Sequence, residues 1–277
     1  MTLRLADISA RIKGIEQLGA VVNAMRGIAA ARALQARGQL PSVDSYEAII
    51  ADGIANTLAQ IPPQPQSEPA QVRPTLIVFA AEQGFAGAFS ERVFEFIGPD
   101  LARSTLFLVG TRGGTVLAER GVRPDWSGAL PAHSAGIPKL ADQIIEALYA
   151  RIAKAEIVGV EVIFATSELG RAPDMKRRAL LPLDVAKLTN LRHAAPPLLN
   201  LALAQLLAGL TADYLVAELC HAALHAFAAE NEARMEAMAA AREQIVRELA
   251  TLRAKERQVR QEGITAEVFE LAAGIDA

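Results

Sequence analysis

His221 and His225 stand four residues apart beside Cys220, a spacing that puts two imidazoles on one face of a helix where they could share a metal ion. No carboxylate lies between them to complete an HExxH pattern, so packing or surface histidines are the better account. Two glycine-rich stretches invite a second kind of chemistry: Gln83-Gly84-Phe85-Ala86-Gly87 and Gly110-Thr111-Arg112-Gly113-Gly114. Each follows a strand-like run and opens a helix-like one, as a phosphate-binding loop would. Neither fits GxGxxG, and neither is followed by the Lys-Ser/Thr of a P-loop, so turn glycines without a ligand are expected at both. His133 and His193 are isolated near prolines and have no nucleophile beside them. No catalytic constellation, cofactor site or metal site emerges from these residues.

The elements that would position them are uneven. Ala6–Gln35 is expected to form an amphipathic helix, because Ile8, Ile12, Ile15, Leu18, Val22, Met25 and Ala29 recur in steps of three or four. Asp7 would sit in its first turn, where the helix dipole favours an anion. Gly14, Gly19 and Gly27 lower its propensity and suit places where another backbone comes close. The helix is expected to break at Pro41 and resume through Tyr46–Leu58. At the other end, Met235, Met238, Ile245, Leu249, Leu252 and Val259 form a stripe that Arg242 and Glu256 interrupt. A helix over Leu198–Glu262 would reach roughly 90–100 Å at 1.5 Å per residue, against about 40 Å for a compact domain of this size, so it needs a partner.

Between these arms the composition changes. All 14 prolines lie between Pro41 and Pro197. Residues 61–74 read as a solvated, extended linker. From there, strand-like Thr75–Ala80, Leu106–Gly110 and Val160–Ala165 alternate with helix-like Ala88–Ile97, Gly114–Arg120 and Lys139–Ala155. That alternation predicts a small α/β layer with a mostly parallel sheet. The expected organisation is an N-terminal coiled-coil helix (1–60), the linker (61–74), a Rossmann-like α/β domain (75–197) and a C-terminal coiled-coil helix (198–277). The fold class is thus an α/β insert domain plus a long antiparallel coiled coil of the two terminal helices.

Charge and cysteine content narrow the partners. The net charge of −3 conceals a basic N-terminus, where Arg4, Arg11, Lys13, Arg26, Arg32 and Arg37 face only Asp7 and Glu16. Aromatic side chains that could stack on bases are absent from that stretch, so no nucleic-acid partner is expected. Cys220 is the single cysteine, which excludes an internal disulfide and points to a reducing compartment. No basic segment followed by an apolar run opens the chain, and the apolar run Leu198–Leu210 is too short to span a bilayer. Any membrane attachment is expected to come through partners.

Both ends resemble the gamma subunit of F-type ATP synthases. The family's "I..RI" appears as Ile8-Ser9-Ala10-Arg11-Ile12, and its "K.AM..VAA.K" run as Asn23-Ala24-Met25-Arg26-Gly27-Ile28-Ala29-Ala30-Ala31-Arg32. Its "RM.AM" appears as Arg234-Met235-Glu236-Ala237-Met238. At the expected distance follow Arg260-Gln261-Glu262-Gly263-Ile264-Thr265, Glu267, Glu270 and Gly274. The departures mark a divergent bacterial member. The family's "SDRGLCGG" is Ala81-Glu82-Gln83-Gly84-Phe85-Ala86-Gly87-Ala88, its "YN" is Glu256-Arg257, and its "DNA"-like segment is Glu243-Gln244-Ile245.

The resemblance implies a non-catalytic rotor shaft with no cofactor. Such a shaft turns inside three alpha and three beta subunits, with an epsilon subunit and the membrane c-ring as further partners, at the cytoplasmic face of the bacterial inner membrane. It further implies that Arg260 and Gln261 hydrogen-bond a loop of a catalytic subunit, and that Arg11, Arg26 and Arg32 face acidic partner loops. A regulatory dithiol is excluded by the single cysteine. Two other classes fit parts of the chain: a coiled-coil scaffold or adaptor, and a small α/β enzyme binding a ligand at Gly84–Gly87 or Gly113–Gly114.

Overall fold

In the computed structural model the described residues are 2–60, 74–157, 159–167, 173–184 and 199–275. The 61–74 linker, apart from Pro74, lies outside them, as do His193 and the expected helix start at Leu198. The elements in chain order are helix α1 (Thr2–Leu58), strand β1 (Thr75–Phe79), α2 (Phe89–Ile97), a single turn α3 (Asp100–Arg103), β2 (Thr105–Val109), α4 (Thr111–Glu119), β3 (Trp126–Gly128), α5 (Ile137–Ile152), β4 (Val160–Thr166), β5 (Asp174–Leu181) and α6 (Leu203–Ile275). They divide into two compact units, residues 30–233 and residues 1–29 with 234–277.

The first unit is built on a five-stranded sheet of order β3-β2-β1-β4-β5, parallel except for the antiparallel β4–β5 pair. Its inner strands are apolar on both faces because both faces are covered. Leu76, Val78, Leu106, Leu108, Ile163 and Ala165 point into a cluster completed by Phe89, Val93 and Phe94 of α2 and by Val116 and Leu117 of α4. Their neighbours Ile77, Phe79, Phe107, Val109, Val162 and Phe164 point the other way, against α5 and a run of α6 that includes Leu215, Leu219, Ala223 and Phe227. By length and composition α6 could cross a membrane, with a stretch of mean hydropathy 1.3 of which 28% is buried.

Two strands escaped the sequence pattern. The edge strand β5 is charged because Arg177 reaches Glu161 on β4 and Asp100 on α3, at 2.7 Å each, and charges of this kind also protect an edge from pairing. The short β3 is held by Trp126, whose ring stacks on Phe107 at 5.5 Å.

The expected break at Pro41 is overturned: α1 runs through it. An internal proline costs roughly 3 kcal/mol. Tertiary contacts on both sides offset this, since Leu40 and Val43 pack on the sheet's core, Arg37 donates to the Ser167 carbonyl at 3.1 Å, and Arg37 is ion-paired with Glu232. Because α1 starts at Thr2, Asp7 lies beyond its first turn, so the dipole argument for it fails.

The second unit is a helix pair. Ile8 and Ile12 of α1 pack on Val259 of α6, and Val22 packs with Met238 and Ile245. Rising numbers on one helix meet falling numbers on the other, so the pair is antiparallel. Glu256, an interruption of the α6 stripe, accepts the Ser9 hydroxyl at 2.8 Å. Of Gly14, Gly19 and Gly27, only Gly19 meets a neighbour, with Ile245 Cγ2 at 3.4 Å from where a Cβ would stand, while Gly14 and Gly27 face open space. Leu18, expected on the paired stripe, is 53% exposed because Gly19 and Val22 turn the seam away from it.

Candidate functional site

The turn after β1 occupies the position where folds of this topology bind phosphates, outside the carboxyl end of a central strand. Here the backbone donors at the start of the turn are taken by the chain itself. Glu230 of α6 accepts the N–H groups of Glu82 and Gln83 at 3.1 and 3.0 Å. Glu82 accepts the Thr111 N–H at 2.9 Å, the Thr111 hydroxyl at 2.8 Å and the Leu130 N–H at 2.9 Å. Two carboxylates of the chain itself fill the role an anionic ligand would play. The glycines of the second turn answer to packing. A Cβ on Gly110, whose φ is 118°, would stand 2.5 Å from the Ala80 carbonyl oxygen, and one on Gly113 would stand 2.3 Å from the Ala80 Cβ. Glycine there lets α4 lie against β1. These contacts speak against a ligand at the second turn, while the Gly84–Gly87 turn lines an open cavity of about 480 Å³ with Ser90, Glu91 and Arg112.

His221 and His225 also have surroundings that local sequence could not show. His221 Nδ1 lies 2.8 Å from Asp44 Oδ1 and 3.9 Å from Glu47 Oε2, both brought by α1. Glu47 lies beside Glu218, which is bound by Arg178 at 2.7 Å and by the Tyr214 hydroxyl at 2.9 Å. Burial first, then the Glu218 carboxylate, pushes the Glu47 carboxyl up to about 7. Burial and then His221 push His225 down to about 4, which keeps it neutral near pH 7.

The five expected partner contacts divide between the units. In the sheet unit Arg32 reaches Gln83 Oε1 at 3.4 Å, a long contact. In the helix pair Arg11 donates to Glu248 at 2.9 Å, so its charge is engaged within the chain. Arg260 is exposed, 3.8 Å from Glu256 one turn earlier. Gln261 lines a shallow concavity with Gln258, Glu262, Thr265, Ala266 and Phe269. Arg26 lines another, of about 460 Å³, together with Arg242, Glu243, Val246 and Arg247. Three arginines line it, of which Arg247 donates to Gln244 at 3.0 Å and stands 3.9 Å from Glu243. By periodicity Arg242 is only an interruption of the stripe and Arg247 an outward charge; the signal for both is that Arg242 stands one turn before the exposed Val246 and Arg247 directly after it, outside the buried seam.

One further feature was missed. Leu18, Val21 and Ile28 are 53, 55 and 54% exposed, and with Gly14 they step by four, three and seven along one face of α1. The helix therefore carries a second apolar stripe beside the one it buries.

The ATP-synt family model, described as ATP synthase, matches residues 4–277. The chain belongs to this ATP synthase family. Its matched relatives are gamma chains. The ATP synthase gamma chain of Chlorobium limicola is 26% identical, with 99% of this chain and 98% of that one covered. The gamma chain of Ruminiclostridium cellulolyticum is 25% identical, with 100% and 99% covered. The fold is also that of a chain in the Euglena gracilis mitochondrial ATP synthase (OSCP/F1/c-ring, rotational state 3), at a TM-score of 0.71 and 12% identity over 100% of this chain and 95% of that one. The function that goes with this membership is that of the gamma subunit, the central rotor stalk of an F-type ATP synthase, a part of an ATPase complex associated with a membrane.

Proposed function

We propose that this chain acts without catalytic groups of its own, as a stiff shaft inside a ring of three alpha and three beta subunits. An epsilon subunit and the membrane c-ring hold its other end, at the cytoplasmic face of the bacterial inner membrane. The observation that carries this reading is the exposed stripe Gly14, Leu18, Val21 and Ile28, flanked on the same helix by Arg26. Apolar side chains left in water along a helix that has already buried one seam call for an enclosing partner. The basic concavity at Arg26, Arg242 and Arg247 fits an acidic loop of that partner. Arg260 and Gln261 extend the contact surface toward the C-terminus. Such a shaft couples by favouring different subunit conformations in turn, which requires shape and charge placement and no reacting group.

Co-expression with the host's alpha and beta subunits tests this. The expected result is one copy of this chain for every six ring subunits, with ATP hydrolysis that depends on its presence. Failure to enter a ring of folded subunits would favour a coiled-coil scaffold instead. Nucleotide titration of the isolated chain is expected to give no tight binding.

A further inference from the structure

Asp44 and Glu47 are three residues apart on α1, on the same face, and both point at His221 on α6. One oxygen from each carboxylate and one imidazole nitrogen lie within 4.8 Å of one another. Ligand atoms held about 2.0–2.2 Å from a tetrahedral ion stand roughly 3.3–3.6 Å apart. The His221–Asp44 and His221–Glu47 separations of 2.8 and 3.9 Å bracket that spacing. Asp44 is 54% exposed and can make the small adjustment needed.

The surroundings favour a cation. Asp44, Glu47 and Glu218 bring three carboxylates against the guanidinium of Arg178, which binds Glu218 at 2.7 Å and stands 4.0 Å from Glu47. These four side chains carry two more negative than positive charges when the carboxylates are ionised, and a divalent ion balances them. The Phe164 ring packs at 6.0 Å from the His221 ring, edge-on, and 5.9 Å from that of His225. The His225 ring lies 4.5 Å from that of His221, near enough to supply or orient a fourth ligand.

We propose that Asp44, Glu47 and His221 form a binding site for a divalent transition metal of the Zn²⁺ class, which staples α1 to α6 within the sheet unit. An imidazole with two carboxylates suits Zn²⁺ and Co²⁺, whereas Mg²⁺ prefers an octahedral shell of oxygens. The site is independent of the rotor reading, since it needs no other subunit.

The test uses the full chain, freed of metal with a chelator, then titrated with Zn²⁺ by calorimetry and with Co²⁺ by visible absorption. One ion per chain is expected, with a low-symmetry Co²⁺ spectrum and a Tm that rises with Zn²⁺. Asp44→Asn, at an exposed position the fold tolerates, should weaken binding by at least about 10-fold and abolish the Tm rise; His221→Gln should do the same. Binding that neither substitution changes, the absence of stoichiometric binding, or equal affinity for Mg²⁺ at these residues would each overturn the proposal.

Discussion

The sheet unit and the helix pair solve the same problem, placing charged residues, in opposite ways. In the sheet unit Glu218, Glu230 and Glu232 are buried, and each is met by a guanidinium or by backbone N–H donors. In the helix pair the ion pairs Arg11–Glu248 and Arg253–Glu16 lie at the surface, beside seams only a few side chains thick. Buried polar groups are costly to orphan, while exposed ion pairs contribute about 0–1 kcal/mol each. Substitutions in the sheet unit should therefore register as lost stability, and those on the outer faces of the helices as lost coupling with the fold intact.

The sharpest way to break this contrast is at Gly110. Its φ of 118° and the Ala80 carbonyl 2.5 Å from a would-be Cβ leave an alanine both strained and overpacked. Gly110→Ala should cost about 3–5 kcal/mol in urea unfolding. A cost under about 1 kcal/mol would show that the β1–α4 approach is softer than its geometry indicates.

Glu230 comes next. Glu230→Ala removes the acceptor for two N–H groups of the β1 turn, and a loss of about 2–3 kcal/mol is expected, with faster proteolysis within Ala81–Gly87. Unchanged protection of the turn would mean that water replaces the carboxylate without penalty.

Glu47 tests the contrast through pH, with chelator present. Its folded-state pKa of about 7 stands above the ordinary 4.5. A raised carboxyl is bound more favourably in its protonated form, so its contribution is full below pH 4.5 and fades as pH rises through 7. Burial is the larger cause of the rise; of the groups facing it, Glu218, Asp44, His221 and Arg178, the like charges then outweigh the guanidinium. Glu47→Gln should therefore raise the Tm at pH 8, by a few degrees, and lose that advantage by pH 5. An identical difference at both pH values would show that the carboxylate ionises freely.

The sequence carries the gross plan because periodicity survives in it. The Met238, Ile245 and Val259 stripe and the apolar runs of β1, β2 and β4 are legible since each is buried on a regular repeat. What it hid depends on contacts distant in the chain. Pro41 looks like a helix breaker until Leu40, Val43 and Arg37 are seen anchored to the sheet unit. The β5 segment looks like a polar loop until Arg177 meets Glu161 and Asp100. His221 looks isolated because its carboxylates stand 177 and 174 positions earlier, at Asp44 and Glu47. Leu18 fits the periodicity of the seam, yet the seam follows Gly19 and Val22 instead.

The smallest expected stability effect falls in the helix pair, at Arg260. Its nearest acidic partner, Glu256, is 3.8 Å away on the same exposed face, and an i,i+4 pair of this kind contributes about 0.2–0.5 kcal/mol. Arg260→Ala should leave the Tm of the isolated chain within about a degree, while weakening assembly or coupling in the reconstituted complex, because a charge-assisted contact to a ring subunit is lost. Arg26→Glu with Arg242→Glu should act in the same direction by reversing the basic concavity, and ATP turnover should fall while urea unfolding stays unchanged. Arg11 is the internal control. Its guanidinium is held by Glu248 at 2.9 Å, so Arg11→Ala should disturb turnover less than Arg260→Ala does. If Arg11→Ala proved the more damaging of the two, the Glu248 pair would open on assembly and Arg11 would belong to the contact surface. If instead all three variants lowered the Tm together, the charges of the helix pair would be structural, and the division of labour between the two units would fail at the place where it is drawn most finely.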